Sequence, residues 1–102
     1  MAFILVYITH KNRNEARKVV SHLLKRKLVA CANIFPIESL YWWKGRIEHT
    51  KEIVTIVKTR KENWKKVKAE VERIHPYKVP CIMRLGTEAN KSYESWIRKE
   101  TR

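Results

Sequence analysis

An α+β fold, one antiparallel sheet carrying two helices on the same side, is what this chain of 102 residues predicts. Three observations lead there. Short apolar, β-branched runs alternate with stretches whose apolar residues recur at i, i+3, i+4 and i+7. Each of the two longer helical stretches lies between two such runs. Two further short runs, separated by the turn candidate Lys44-Gly45, read as a hairpin between the two halves. Residues 1–102 are expected to form a single domain, because a chain of this length supports one modest core.

Phe3 to Thr9 (FILVYIT) is a continuous apolar run, the pattern of a strand buried on both faces. Asn12 offers an N-cap and Glu15, three residues later, completes a capping box. Ala16, Val19, Val20, Leu23 and Leu24 then fall on one helical face. Leu28 to Ile37 (LVACANIFPI) is the second strand run, with Pro36 placed where an edge or a bulge tolerates it. Leu40 to Trp43 (LYWW) and Arg46 to His49 (RIEH) form the hairpin, and Glu52 to Lys58 (EIVTIVK) is the next strand. Thr59 and Glu62 suggest a second capping box, ahead of Trp64, Val67, Val71 and Ile74 at helical spacing. His75-Pro76 ends that helix, since the residue before proline is pushed out of the α region. Val79 to Leu85 (VPCIMRL) is the last strand, Gly86 begins a loop, and Asn90 caps a short helix carrying Tyr93, Trp96 and Ile97. Two βα units joined through a hairpin give the ferredoxin-like split arrangement.

The hairpin departs from the pattern of a self-contained domain. Leu40 and Trp42 point to one side and Tyr41 and Trp43 to the other, so both faces are apolar or aromatic. Helices on one side of a sheet cannot cover both faces of a projecting arm. Such aromatics are expected to bury against another copy of the chain.

Composition excludes several classes. Apolar residues make up 44% of the chain and only two Gly and three Pro occur, which argues against disorder. No apolar run approaches the roughly 18 residues that span a bilayer, and no cationic stretch precedes the first apolar run. No membrane association and a cytoplasmic location are therefore expected. Cys31 and Cys81 lie far apart with no C-x-x-C, so neither a disulfide scaffold nor a zinc ribbon is supported. The net charge of +13 concentrates on two stretches, Lys11 to Lys27 and Lys58 to Arg73. That basic surface lacks interleaved aromatics, and the third strand (EIVTIVKT) has none. It reads as a solvated helical face, and nucleic acid is not an expected partner.

No Gly-rich phosphate loop, H-E-x-x-H, G-x-S-x-G or EF-hand loop is present, and no enzymatic activity is expected. The polar groups beside the apolar elements are Thr9, Asn33, Glu52, Lys58 and Thr59, with His75 and Tyr77 after the second helix. The soft and borderline metal donors are Cys31, Cys81, His10, His22, His49 and His75, types that suit copper or zinc over magnesium or calcium. Their spacing defines no ligand set.

The blocks ACAN (Ala30 to Asn33), YWWKGRIE (Tyr41 to Glu48), E-x-x-x-x-x-KT (Glu52 to Thr59), HPY-x-x-P (His75 to Pro80) and Y-x-x-W (Tyr93 to Trp96), taken together, resemble the divalent-cation tolerance protein CutA family across essentially the whole chain. The resemblance implies a ferredoxin-like subunit in a tight homotrimer, similar in architecture to PII signalling proteins, with strands extending across subunits. It implies binding of copper or other divalent metals, none of them obligatory, and no established reaction. His75 matches a proposed metal ligand and Cys31 the family's more general cysteine. Where some bacterial members carry a second histidine and a strand cysteine, this chain has Ile74 and Ile8. The resemblance also implies an inter-subunit pocket lined here by Thr9, Asn33, Tyr41, Trp43, Glu52, Lys58, His75 and Tyr77. The alternative reading it supports is a PII-like small-ligand sensor using that pocket, with metal incidental.

Overall fold

A computed structural model describes residues 3–102. The order is β1 (Phe3–His10), α1 (Arg13–Lys25), β2 (Cys31–Trp43), β3 (Arg46–Arg60), α2 (Trp64–Ile74), β4 (Ile82–Thr87) and α3 (Lys91–Glu100), with a 3-10 turn at Lys61–Asn63 leading into α2. The strands lie in the order β2-β3-β1-β4 with every neighbouring pair antiparallel. This is the ferredoxin-like arrangement that the sequence predicts.

Strand register divides the side chains between two faces. Val6 pairs with Val57, Ile8 with Thr55 and Ala32 with Val57, so these residues share the face under α1 and α2. There they meet Val19, Leu23, Val67 and Val71, all essentially without solvent contact. Burying a side chain such as Leu23 contributes about 2 kcal/mol.

The ends of α1 explain its limits. Asn12 accepts the Glu15 N–H at 2.9 Å, the expected N-cap. At the other end the Leu28 N–H reaches the Leu23 carbonyl and the Lys27 N–H the Leu24 carbonyl, with Lys27 at φ +60°. That is a Schellman motif with lysine where glycine is favoured. Leu28 thereby closes a helix, and β2 starts later than its apolar run, at Cys31.

Three other expectations are corrected. Thr59 and Glu62 form no capping box: the Thr59 hydroxyl donates to the Leu28 carbonyl at 2.6 Å, and Glu62 pairs with Arg98. Buried Asn63 joins the same knot through Thr59 and Leu28. β4 begins at Ile82 and continues through Gly86, which pairs with Ile4. The hairpin and the third strand are one element, because His49 to Lys51 pair with Leu40 to Glu38 and leave no break. β2 carries Pro36 without loss as an edge strand.

β1 pairs with β3 only from Ile53 to Arg60, so the β2–β3 ribbon beyond Ile37 and Glu52 projects as a two-stranded arm. Lys44 (φ +50°) and Gly45 (φ +76°) close it as a two-residue turn with both residues left-handed. The arm stretches the molecule to 45 × 23 × 21 Å. Leu40 is 65% exposed, Trp42 72% and Ile47 62%, so the expectation that the chain leaves this arm uncovered is met.

The third helix packs against the other side of the sheet, at the end away from the arm. Tyr93 meets Phe3 edge-on, and its hydroxyl lies 3.1 Å from Lys58 Nζ. Arg60 secures the C-terminus of α3 by donating to the Arg98 and Thr101 carbonyls and to the Thr101 hydroxyl. A cation on these terminal carbonyls also opposes the helix dipole.

Candidate functional site

The face of the sheet opposite α1 and α2, which α3 covers at one end, collects the predicted residues. Thr9 pairs with Val54, Cys31 with Lys58, Asn33 with Ile56, Ile37 with Glu52, Tyr41 with Glu48 and Trp43 with Arg46. By strand alternation all seven strand candidates, Thr9, Cys31, Asn33, Tyr41, Trp43, Glu52 and Lys58, point to this side. The segment after α2 passes round the sheet to join them. His75 Nε2 donates to the Thr9 carbonyl at 2.7 Å, and the Tyr77 hydroxyl donates to Glu52 Oε2 at 2.7 Å.

These residues form two groups, however. The first lines an open trough of about 890 Å³ at the root of the arm, containing Thr9, Tyr41, Trp43, Glu52 and Tyr77. Burial and the Glu52 carboxylate hold the Tyr77 phenol well above its usual range, so it stays protonated and donates. Burial, with Glu52 adding to it, also raises the Cys81 thiol at the trough wall. The second group lies under α3, where Lys58 Nζ and Cys31 Sγ flank the Tyr93 hydroxyl at 3.1 and 3.4 Å. Hydrogen bonding to Tyr93 raises the Lys58 ammonium. Asn33 and Lys58 are on the correct face but do not line the trough.

The two predicted metal ligands belong to different places. Cys31 pairs with Lys58 and Thr9 with Val54, four residues apart along β3, which is about 13 Å. His75 is 8% exposed, and both ring nitrogens are engaged. With Nε2–H on the Thr9 carbonyl, Nδ1 accepts the Tyr77 N–H at 3.2 Å. A neutral imidazole in that tautomer has no lone pair free for a metal. Among the described residues no group of three or more His, Cys, Asp and Glu side chains converges. The donors of one protomer therefore do not fit a copper site built on His75 and Cys31.

The other histidines are similarly placed. His10 is fully buried, bonded to the Thr55 hydroxyl at 2.8 Å and stacked on His75. Burial, reinforced by His75, lowers its pKa to about 4. His22 contacts Glu70, which Arg73 and then His22 hold down at about 2. His49 and Glu38 meet in the open on the arm, Nε2 to Oε2 at 2.9 Å.

Sequence reasoning missed Glu48, Thr50, Tyr7 and Cys81 in the trough and Tyr93 beside Lys58. A period of two counted back from Glu52 reaches Thr50 and Glu48, and reading β3 as unbroken finds both. Tyr93 had no such signal, because its meeting with Lys58 depends on how α3 docks.

Comparison with known proteins agrees with this architecture. The model of the CutA1 divalent ion tolerance protein family matches residues 4–100. The divalent-cation tolerance protein CutA of Pyrococcus horikoshii is 42% identical over 100 residues, covering 97% of this chain and 98% of that protein. The protein of the same description from Archaeoglobus fulgidus is 44% identical over 93 residues, covering 90% and 91%. Among solved structures, CutA1 from Pyrococcus horikoshii superposes with a TM-score of 0.94 at 41% identity, covering 97% of this chain and 98% of that one. CutA1 from Oryza sativa superposes with a TM-score of 0.96 at 34% identity, covering 100% and 95%. Shared sequence along nearly the whole length and a shared backbone fold lead to one conclusion: the chain belongs to the CutA1 divalent ion tolerance family.

Proposed function

We propose that this chain works in the cytoplasm as a homotrimer in which each arm docks on a sister copy, and that the assembly serves tolerance of divalent metal ions without catalysing a reaction. The observation that carries the reading is the arm itself. Trp42 and Ile47 pair across the strands on one face, Tyr41 and Trp43 occupy the other, and all four are at least 40% exposed in the isolated protomer. An apolar ribbon of this kind finds a favourable environment in an interface of like chains.

Metal binding on this reading is weak and superficial. Imidazole suits copper or zinc over magnesium or calcium, copper is the ion this reading takes, and His49 with Glu38 is the pair solvent reaches most freely. His22 and Glu70 are less suited, because Arg26 and Arg73 already crowd that carboxylate. No metal is required for the fold. Calorimetric titration of Cu²⁺ into the wild type, His49→Ala and His75→Ala tests this. His49→Ala is expected to weaken binding about tenfold or more, the effect of one lost ligand. His75→Ala should bind as the wild type does. The reverse pattern would contradict the assignment.

A second reading has its own support. The trough gathers Thr9, Tyr41, Trp43, Glu52 and Tyr77 around one opening, with a carboxylate and a phenol already oriented towards each other. Concave sites with a few oriented polar groups and aromatic walls suit small ligands. On this reading the trimer is a small-ligand sensor and metal is incidental.

A further inference from the structure

We propose that the trough at the root of the arm binds a linear aliphatic polyamine, with one ammonium at Glu48 and another at Glu52. The proposal rests on the small-ligand reading of this trough and names the class of ligand. Charge gives the first argument. The chain as a whole carries +13, yet the acidic side chains on this face of the arm, Glu48 and Glu52, both line the trough. The nearest opposing charge in the lining is the exposed Lys78. Repulsion from lysines and arginines more than about 8 Å away is screened at physiological salt, and the local balance of Glu38, Glu48 and Glu52 in the lining against Lys78 there and Arg46, two residues from Glu48 on the same face, stays acidic.

Spacing gives the second. Glu48 and Glu52 are four residues apart on one strand and share a face, which separates them by about 13 Å. Between them the floor is Ser39 opposite Thr50, two small side chains, while Tyr41 stands beside Glu48 and Ile37 beside Glu52. The result is a shallow channel with a carboxylate at each end. One compact cation cannot reach both carboxylates. A flexible chain with terminal nitrogens about 11 Å apart can, once the glutamates lean inward.

The walls give the third. Tyr41, Trp43 and Tyr77 surround the channel, and aromatic faces attract ammonium groups while packing against methylenes. The Tyr77 hydroxyl holds Glu52 through Oε2 and leaves Oε1 free to accept from a ligand. Anions are disfavoured by the same two carboxylates.

Isothermal titration of the assembled wild type with octane-1,8-diamine and ethane-1,2-diamine tests the idea. The longer diamine is expected to bind about tenfold or more tightly, the effect of a second charge-assisted contact. Glu48→Gln and Glu52→Gln should each remove that preference, and Glu72→Gln on the remote face of α2 should keep it. Equal affinity for the two diamines, a matching loss in Glu72→Gln, or no binding overturns the proposal. Sedimentation of the same samples separates the failures. A trimer without length-dependent binding overturns the polyamine assignment alone, and a single-subunit species that binds neither diamine overturns the inter-subunit reading as well.

Discussion

Strands β2 and β3 run through both the body of the sheet and its arm, yet the two regions stand in opposite relations to solvent. In the body, Val54, Thr55 and Val57 of β3 lose all contact with water, because β1, β2 and the helices surround them. In the arm, Ile47 of the same strand is 62% exposed, and its partner Trp42 is 72% exposed. The difference is one of neighbours, since β-branched or aromatic residues occur in both. A two-stranded ribbon has marginal stability in water, and its order normally depends on a third partner. The body supplies its own partners, whereas the arm must take one from outside.

Two truncations break this comparison most sharply. Leu23→Ala, in the body, is expected to cost about 3 kcal/mol by cavity formation, whatever the state of assembly. Trp42→Ala, on the arm, should change the stability of a lone protomer by less than about 0.5 kcal/mol, because its side chain is already wet. In the assembled protein it should instead weaken association, read as a dissociation midpoint moved to higher concentration. Denaturant titration at several protein concentrations checks both. A Trp42→Ala loss independent of concentration would mean that the arm is held by its own chain.

Acid acts on the body at a distinct point. His10 is neutral when folded, with its pKa lowered to about 4, and an unfolded chain protonates it near the ordinary 6.5. Between those values the unfolded state binds more protons. The stability contributed by neutral His10 is therefore complete above about pH 6.5 and declines as pH falls towards 4. The effect is on the order of 3 kcal/mol. His10→Gln, which keeps a polar partner for Thr55, should flatten the pH slope within this window. An unchanged slope would place the titration elsewhere.

The smallest effect lies at the end of α1. Lys27 holds φ +60° in the Schellman turn, a conformation that costs a residue with a Cβ. Lys27→Gly is expected to raise stability by about 0.5 kcal/mol, a modest rise in melting temperature with association unaltered. A fall would show that the lysine side chain contributes more than its backbone strain costs.

Most of the body was legible because its signals are local and periodic. Val19, Val20 and Leu23 mark a helix face, Asn12 marks its start, and His75-Pro76 marks the end of α2. Legibility failed where residues serve two patterns. Thr59 and Glu62 carry the letters of a capping box, but Thr59 bonds to Leu28 and Glu62 to Arg98, both distant in sequence. Leu28 looks like strand and completes a helix end. His49-Thr50-Lys51 breaks the apolar pattern of β3 because the arm has no core to face, so polar residues are free to occur in a continuous strand.

The candidate site was legible by face and not by cluster. Alternation alone brings Thr9, Asn33, Glu52 and Lys58 to one side of the sheet once the register is known. The distance between Lys58 and the trough, and the engagement of both His75 nitrogens, depend on how the 75–81 segment and α3 return to the sheet. No spacing in the sequence encodes those returns.

Sedimentation equilibrium of the wild type across the micromolar range tests the central claim, that the arm is completed by sister copies, most directly. The account predicts one species of three protomers that persists on dilution. A soluble, folded single protomer throughout that range would contradict it.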